Sequence, residues 1–192
     1  MKTAMKKLGT FCLFLGLAIV SAGAFGVIHD QISYTVSHEY FTRFKFLQFH
    51  LVDSPLPERL RVAEIGFLAS WWMGIPIGLL TGVAGFIHPD ARQMRSALLR
   101  SILAIVGFTL AFALCGLFYG YLQTRTLDLA HYRHWFIPKD VQNLRAFLCA
   151  GYMHNSAYLG GILAIPIAWV FHFIYRNRQA RGAEARRSPE WG

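Results

Sequence analysis

Charge is what this chain has least of. Asp, Glu, Lys and Arg make up 15% of its 192 residues, where an average soluble domain carries about 25%. That is too little polar surface to cover one small globule. A mean hydropathy of +0.37 also excludes disorder, which needs low hydrophobicity. Cysteine is scarce as well. Cys12, Cys115 and Cys149 lie in or beside apolar runs, and none forms a CxxC pair. Neither a disulfide framework nor a dithiol relay is indicated, and thiols acting as small apolar side chains fit better. The sequence has no Walker loop, GxSxG, HExxH or Glu-x-x-His. That leaves a hydrolase, a nucleotide-driven pump and a di-iron carboxylate protein without support.

What is present is long apolar runs. Leu8–Ile28, Ile65–Ile87, Ser101–Thr124 and Ala146–Tyr175 contain no Asp, Glu, Lys or Arg. Each supplies the roughly 20 residues a helix needs to cross about 30 Å of hydrocarbon. Helix is expected because lipid cannot satisfy open backbone groups. The expected fold is an all-α membrane protein: a four-transmembrane-helix bundle with spans near 8–28, 62–87, 99–123 and 147–175. Residues 1–175 then form one membrane domain and 176–192 a flexible, basic cytoplasmic tail drawn to anionic lipid. The first run also reads as a cleavable signal peptide ending at Ala22-Gly23-Ala24. A retained helix is favoured because apolar character continues through Val27 and Ile28.

Charge asymmetry sets the orientation. The net charge is +9. Lys2, Lys6, Lys7, Arg92, Arg95, Arg100, Arg176, Arg178, Arg181, Arg186 and Arg187 fall on one side with only Asp90, Glu184 and Glu190. By the positive-inside rule that side is cytoplasmic, with both termini in the cytoplasm. The expected location is a bacterial inner membrane. The expected partners are lipid and either another protein or a second copy, with no nucleic acid. The two long loops, about 29–60 and 123–145, form an extracytoplasmic cap.

Small residues recur every fourth position in the second run (Gly66, Ser70, Gly74, Gly78, Gly82) and the fourth (Ser156, Gly160, Ala164, Ala168). Each set makes one ridge along which two backbones approach closely. A shift of 90 positions superimposes the ridges and aligns Ile75-Pro76-Ile77 with Ile165-Pro166-Ile167. This suggests two duplicated helical hairpins, with both prolines bending their helices at similar depth. The same shift places Glu64 at the position of His154.

In the first loop, Ile32, Tyr34 and Val36 alternate with polar residues, which predicts a short strand. Ser37 is a candidate helix cap with Glu39 in the first turn. Tyr40, Phe41, Phe44, Leu47 and Leu51 then recur at helical spacing, and Arg43 and Lys45 are expected to snorkel toward head groups. The run His29-Asp30-Gln31-Ile32-Ser33-Tyr34, with Ser37-x-Glu39-Tyr40-Phe41 and Phe44-Lys45-Phe46, resembles a signature of uncharacterised bacterial multi-span membrane proteins. It covers about 20 positions, and His38 stands where that pattern leads one to expect proline. The resemblance implies no activity.

Ionisable groups inside spans are functional candidates by default. His29 and Asp30 end the first span, Glu64 begins the second, and His154 and Asn155 begin the fourth. Together they would suit a divalent transition metal or a proton relay. Against this, Glu64 follows Arg61 at ion-pair spacing, and His154 suits a simple interhelical hydrogen bond. Asp128, His131 and His134 form a secondary candidate metal set, or equally an interface segment with Trp135. Pairing His29 with His154 and His88 with His172 gives a less favoured haem reading. The sequence favours a non-enzymatic binding or accessory protein whose outer polar cluster takes a metal ion or small ligand. A redox or transport component and a structural subunit of a membrane complex are the alternatives.

Overall fold

The computed structural model describes residues 2–187. Among these residues there is helix and no strand. Four helices carry the fold: α1 Lys2–Val36, α2 Glu58–Ile87, α3 Ala91–Gln123 and α4 Leu144–Arg187. All four are long and apolar enough to cross a membrane. α1 packs along α2, and α3 along α4. The first pair then meets the second through α1 on α3 and α2 on α4.

The small-residue ridges explain that pairing. The Gly66 backbone lies against the Gly26 backbone, Gly74 against Ile19, and Gly82 against the ring of Phe11. The ridge of α2 therefore faces α1. In α4, Ser156 lies against Gly116 and Gly160 against Phe112, so that ridge faces α3. Ala164 and Ala168 are buried. The two ridges do not face each other: each grips the preceding helix of its own hairpin. Gly26 and Gly116 are the partners that matter, since a Cβ on either would collide with the opposing helix.

The prolines act unequally. A tightened turn occupies Trp71–Met73, just before Pro76. The proline ring clashes with the carbonyl four residues back, here Trp72. Pro166 sits inside α4 with no break in the helix. The basic stretch after Tyr175 is helical as far as Arg187, not the coil expected from its composition. Residues 188–192 of that tail lie outside the described residues.

The expected strand at Ile32–Val36 is absent, because α1 continues through it to Val36. Polar–apolar alternation over five residues is too short to compete with a helix already running. Ser37, extended at φ −144°, accepts the Tyr40 amide on its side chain and starts a new helical segment. That segment covers His38–Gln48, with a wide turn at Phe41–Lys45. It ends at His50, whose φ of 56° is left-handed. Tyr40, Phe41 and Phe46 are buried against Val62, Ile65, Phe147 and Ala150, so the segment seals one end of α2 and α4. Glu39 ties it down: its carboxylate accepts the amides of Gln142 (2.8 Å) and Asn143 (2.7 Å), just before α4. These two hydrogen bonds hold the Glu39 carboxyl below its usual range.

Candidate functional site

Extending α1 through Val36 places His29, Asp30 and Ser33 on one helical face, since residues three and four apart share a face. All three are buried. His154 reaches them from α4. His29 Nδ1 lies 2.9 Å from Asp30 Oδ1, and His154 Nε2 lies 3.8 Å from the same oxygen. Ser33 Oγ is 3.1 Å from His154 Nε2. The two imidazole rings meet edge to face at 4.6 Å between centroids. Tyr40 stacks on the other side of His154 at 4.7 Å. One ligand atom from each of His29, Asp30 and His154 fits within 4.8 Å of the others.

Two atoms in this cluster have no partner: His29 Nε2 and Asp30 Oδ2. Each such group costs about 1–3 kcal/mol when buried unsatisfied. Where His29 Nδ1 donates to Asp30, a metal ion would take the lone pair on Nε2. Both unmet atoms are then acceptors, which suit a cation or a hydrogen-bond donor.

Of the other sequence candidates, Glu64 and Asn155 stay outside. Residues two apart on a helix differ by about 200° in direction. Because the Gly66 ridge faces α1, Glu64 points away from α1. Because the Ser156 ridge faces α3, His154 points away from α3 and toward α1. The same geometry admits one residue and excludes the other. Glu64 makes no hydrogen bond or ion pair among the described residues, and Arg61 does not pair with it. Arg61 instead donates to the carbonyls of Leu51 and Val52 at 3.1 Å and approaches Glu58 at 3.9 Å. Asn155 is exposed.

The Asp128 set is not assembled. His131 Nδ1 is 3.1 Å from Asp128 Oδ2, but both are exposed. His134 Nε2 accepts from Arg133 Nε at 3.1 Å, which commits its lone pair. The histidine pairs proposed for haem are in direct contact. His88 Nε2 and His172 Nδ1 lie 3.0 Å apart, and His29 meets His154 as described. Neither pair leaves a gap for a porphyrin. Burial pushes the His88 imidazole below its usual range, and the Arg176 and Lys7 cations add to this. Lys7 also donates to the His88 carbonyl.

Sequence reasoning missed Ser33 and Tyr40 as neighbours of the cluster, and it misplaced Lys45. Lys45 does not snorkel: it is 7% exposed, lies under the rings of Tyr40, Phe44 and Phe49, and donates to Gln48 Oε1 at 3.0 Å. Burial lowers its ammonium, while the Asp30 charge acts in the opposite direction. A second junction went unseen. Glu58 accepts from Tyr34 Oη at 2.5 Å and lies 2.8 Å from His38 Nε2, joining the start of α2 to the end of α1.

No family model, no curated protein and no solved structure matches this chain. The signature-like run from His29 to Phe46 therefore brings neither a fold nor an activity with it, and function rests on the geometry.

Proposed function

We propose that the chain is a four-span protein of a bacterial inner membrane that binds a divalent transition metal ion at His29, Asp30 and His154. It acts as a binding or accessory protein and not as an enzyme. The observation that carries this reading is the convergence of three buried ligand groups within 4.8 Å, with His29 Nε2 and Asp30 Oδ2 unpartnered. Two imidazoles and a carboxylate suit zinc, copper or nickel. Ser33 and Tyr40 hold the His154 ring from two sides.

The wider architecture belongs to the same proposal. Both termini lie in the cytoplasm, as the basic residues near both ends favour. The segment His38–Gln48 and the loop around Trp135 close the opposite end of the bundle as an extracytoplasmic cap. Outward-facing residues such as Leu13, Leu103 and Val170 then contact lipid, and a protein partner or second copy can share that surface. The two hairpins are read as duplicated. The contact of Gly26 with Gly66 recurs as that of Gly116 with Ser156, 90 positions on.

The test is elemental analysis of the detergent-purified protein after exposure to zinc, copper and nickel and removal of free ion. About one ion per chain is expected, lost in His29→Ala and His154→Ala and kept in His131→Ala. A metal-free protein that gains none would reject the reading. The second reading, a proton site in a redox or transport component, is favoured by the unpartnered Asp30 oxygen beside an imidazole. It would survive that result.

A further inference from the structure

His88 and His172 meet at the far end of the bundle from the His29–Asp30–His154 centre. His172 lies 18 residues after His154 on α4. That is five helical turns, so the two imidazoles leave the same side of α4, about 27 Å apart. His88 follows α2 directly and precedes the exposed Pro89, on the side assigned to the cytoplasm. Both rings are fully buried. Their contact, His88 Nε2 to His172 Nδ1 at 3.0 Å, leaves His88 Nδ1 and His172 Nε2 without partners.

A neutral imidazole carries one N–H and one lone pair. If His88 donates in the shared bond, its free Nδ1 is an acceptor and the free His172 Nε2 is a donor. If His172 donates, the free ends exchange roles. Passing from the first arrangement to the second is a proton transfer. One proton binds at His88 Nδ1, the shared proton moves from His88 Nε2 to His172 Nδ1, and the proton on His172 Nε2 leaves. The pair begins and ends neutral. Its surroundings favour that state: Lys7 of α1 and Arg176 of α4 are two cations near His88, against one carboxylate, Asp90. Tyr175 of α4 packs edge-on against His88, with its hydroxyl 3.1 Å from Ser96 Oγ of α3.

Toward the middle of the bundle, Phe14, Met94 and Leu98 form a buried cluster. Leu98 lies against Gly85, three residues before His88. Beyond this plug is a cavity whose wall carries Ser21, Ser70, Thr81 and Thr109. Thr81 and His88 are seven residues apart on one rising chain, about 10 Å. We propose that His88 and His172 are a proton relay between the cytoplasmic surface and this polar cavity, closed by the Phe14–Met94–Leu98 plug. The relay uses none of the three proposed metal ligands.

The test uses the full-length protein throughout. NMR of isotope-labelled histidine in detergent should find both arrangements of the pair, with His172 protonated on Nδ1 in one and on Nε2 in the other. His88→Gln keeps a hydrogen-bonding side chain that cannot take up and pass on a proton, and it should fix His172 in one form. In proteoliposomes under a potassium diffusion potential, Leu98→Ala thins the plug. It should raise proton entry above that of protein-free vesicles, as read by a pH-sensitive dye. Adding His88→Gln should return the rate to the vesicle background. Met94→Ala serves if Leu98→Ala does not fold. A single fixed arrangement of the pair, no rise on thinning the plug, or a rise that His88→Gln leaves in place would overturn the inference. Elemental analysis separates the two ideas. His88-dependent proton entry in a protein that never binds metal keeps the relay and removes the metal reading. Metal bound without such entry does the reverse.

Discussion

His29 Nε2 and Asp30 Oδ2 are the two atoms on which the chemistry turns, because burial leaves them without water and the fold leaves them without partners. His29→Ala removes a ligand outright, and metal content should fall to background by elemental analysis. Ser33→Ala is subtler. It keeps all three ligands and removes only the hydroxyl 3.1 Å from His154. That hydroxyl sits on the ring nitrogen nearest Asp30 and competes with an ion for it, so metal affinity should hold or rise in this variant, as competition with a chelator of known affinity measures. Glu39 makes a separate prediction. Its carboxyl is depressed by two backbone hydrogen bonds, so its contribution to stability is present above the unfolded carboxyl range and lost as pH falls through the folded one. Glu39→Gln should weaken folding by about 1 kcal/mol, a typical capping loss, at neutral pH. The deficit should shrink toward acid, as read by thermal melts in detergent across pH.

At the scale of the helix, reading each ridge was possible and reading its direction was not. Spacing of four marks a close-packed face but does not say which neighbour it meets. The partner faces carried the same spacing, Ala18, Ala22 and Gly26 in α1 and Gly116 and Gly120 in α3, and went unread. Knowing that direction separates His154 from Glu64. The expected strand at Ile32–Val36 had a similar effect: it cut α1 short and hid Ser33, which shares a face with His29 and Asp30 only if the helix continues. Lys45 was misjudged because a lysine among aromatics looks the same in sequence whether it snorkels or is roofed over. Gly26→Leu should drive α1 and α2 apart and destabilise by more than the roughly 1–3 kcal/mol of ordinary overpacking, since the obstacle is backbone. Gly16→Leu, with nothing within 4 Å of its added Cβ, should be neutral. Thermal melts of both variants in detergent make the comparison.

For the whole molecule, composition carried the argument furthest. Scarce charge and four long apolar runs sufficed to read four helices of spanning length. Which helices pair, where the loops fold back and whether distant groups meet depend on contacts far apart in sequence, and no local pattern encodes them. The proposed topology places His50 and the loop around Lys139 outside and the turn at Asp90 inside. A membrane-impermeant thiol reagent on intact cells should label a cysteine introduced at His50 or Lys139 in a background lacking Cys12, Cys115 and Cys149. It should leave one at Asp90 unlabelled until the membrane is opened. The most direct measurement of the central claim is an X-ray absorption spectrum of the protein loaded with zinc. The account predicts a first shell of two imidazole nitrogens and a carboxylate oxygen with one further oxygen ligand, and no zinc retained in His154→Ala. A zinc shell without imidazole, or one unchanged in that variant, would contradict it.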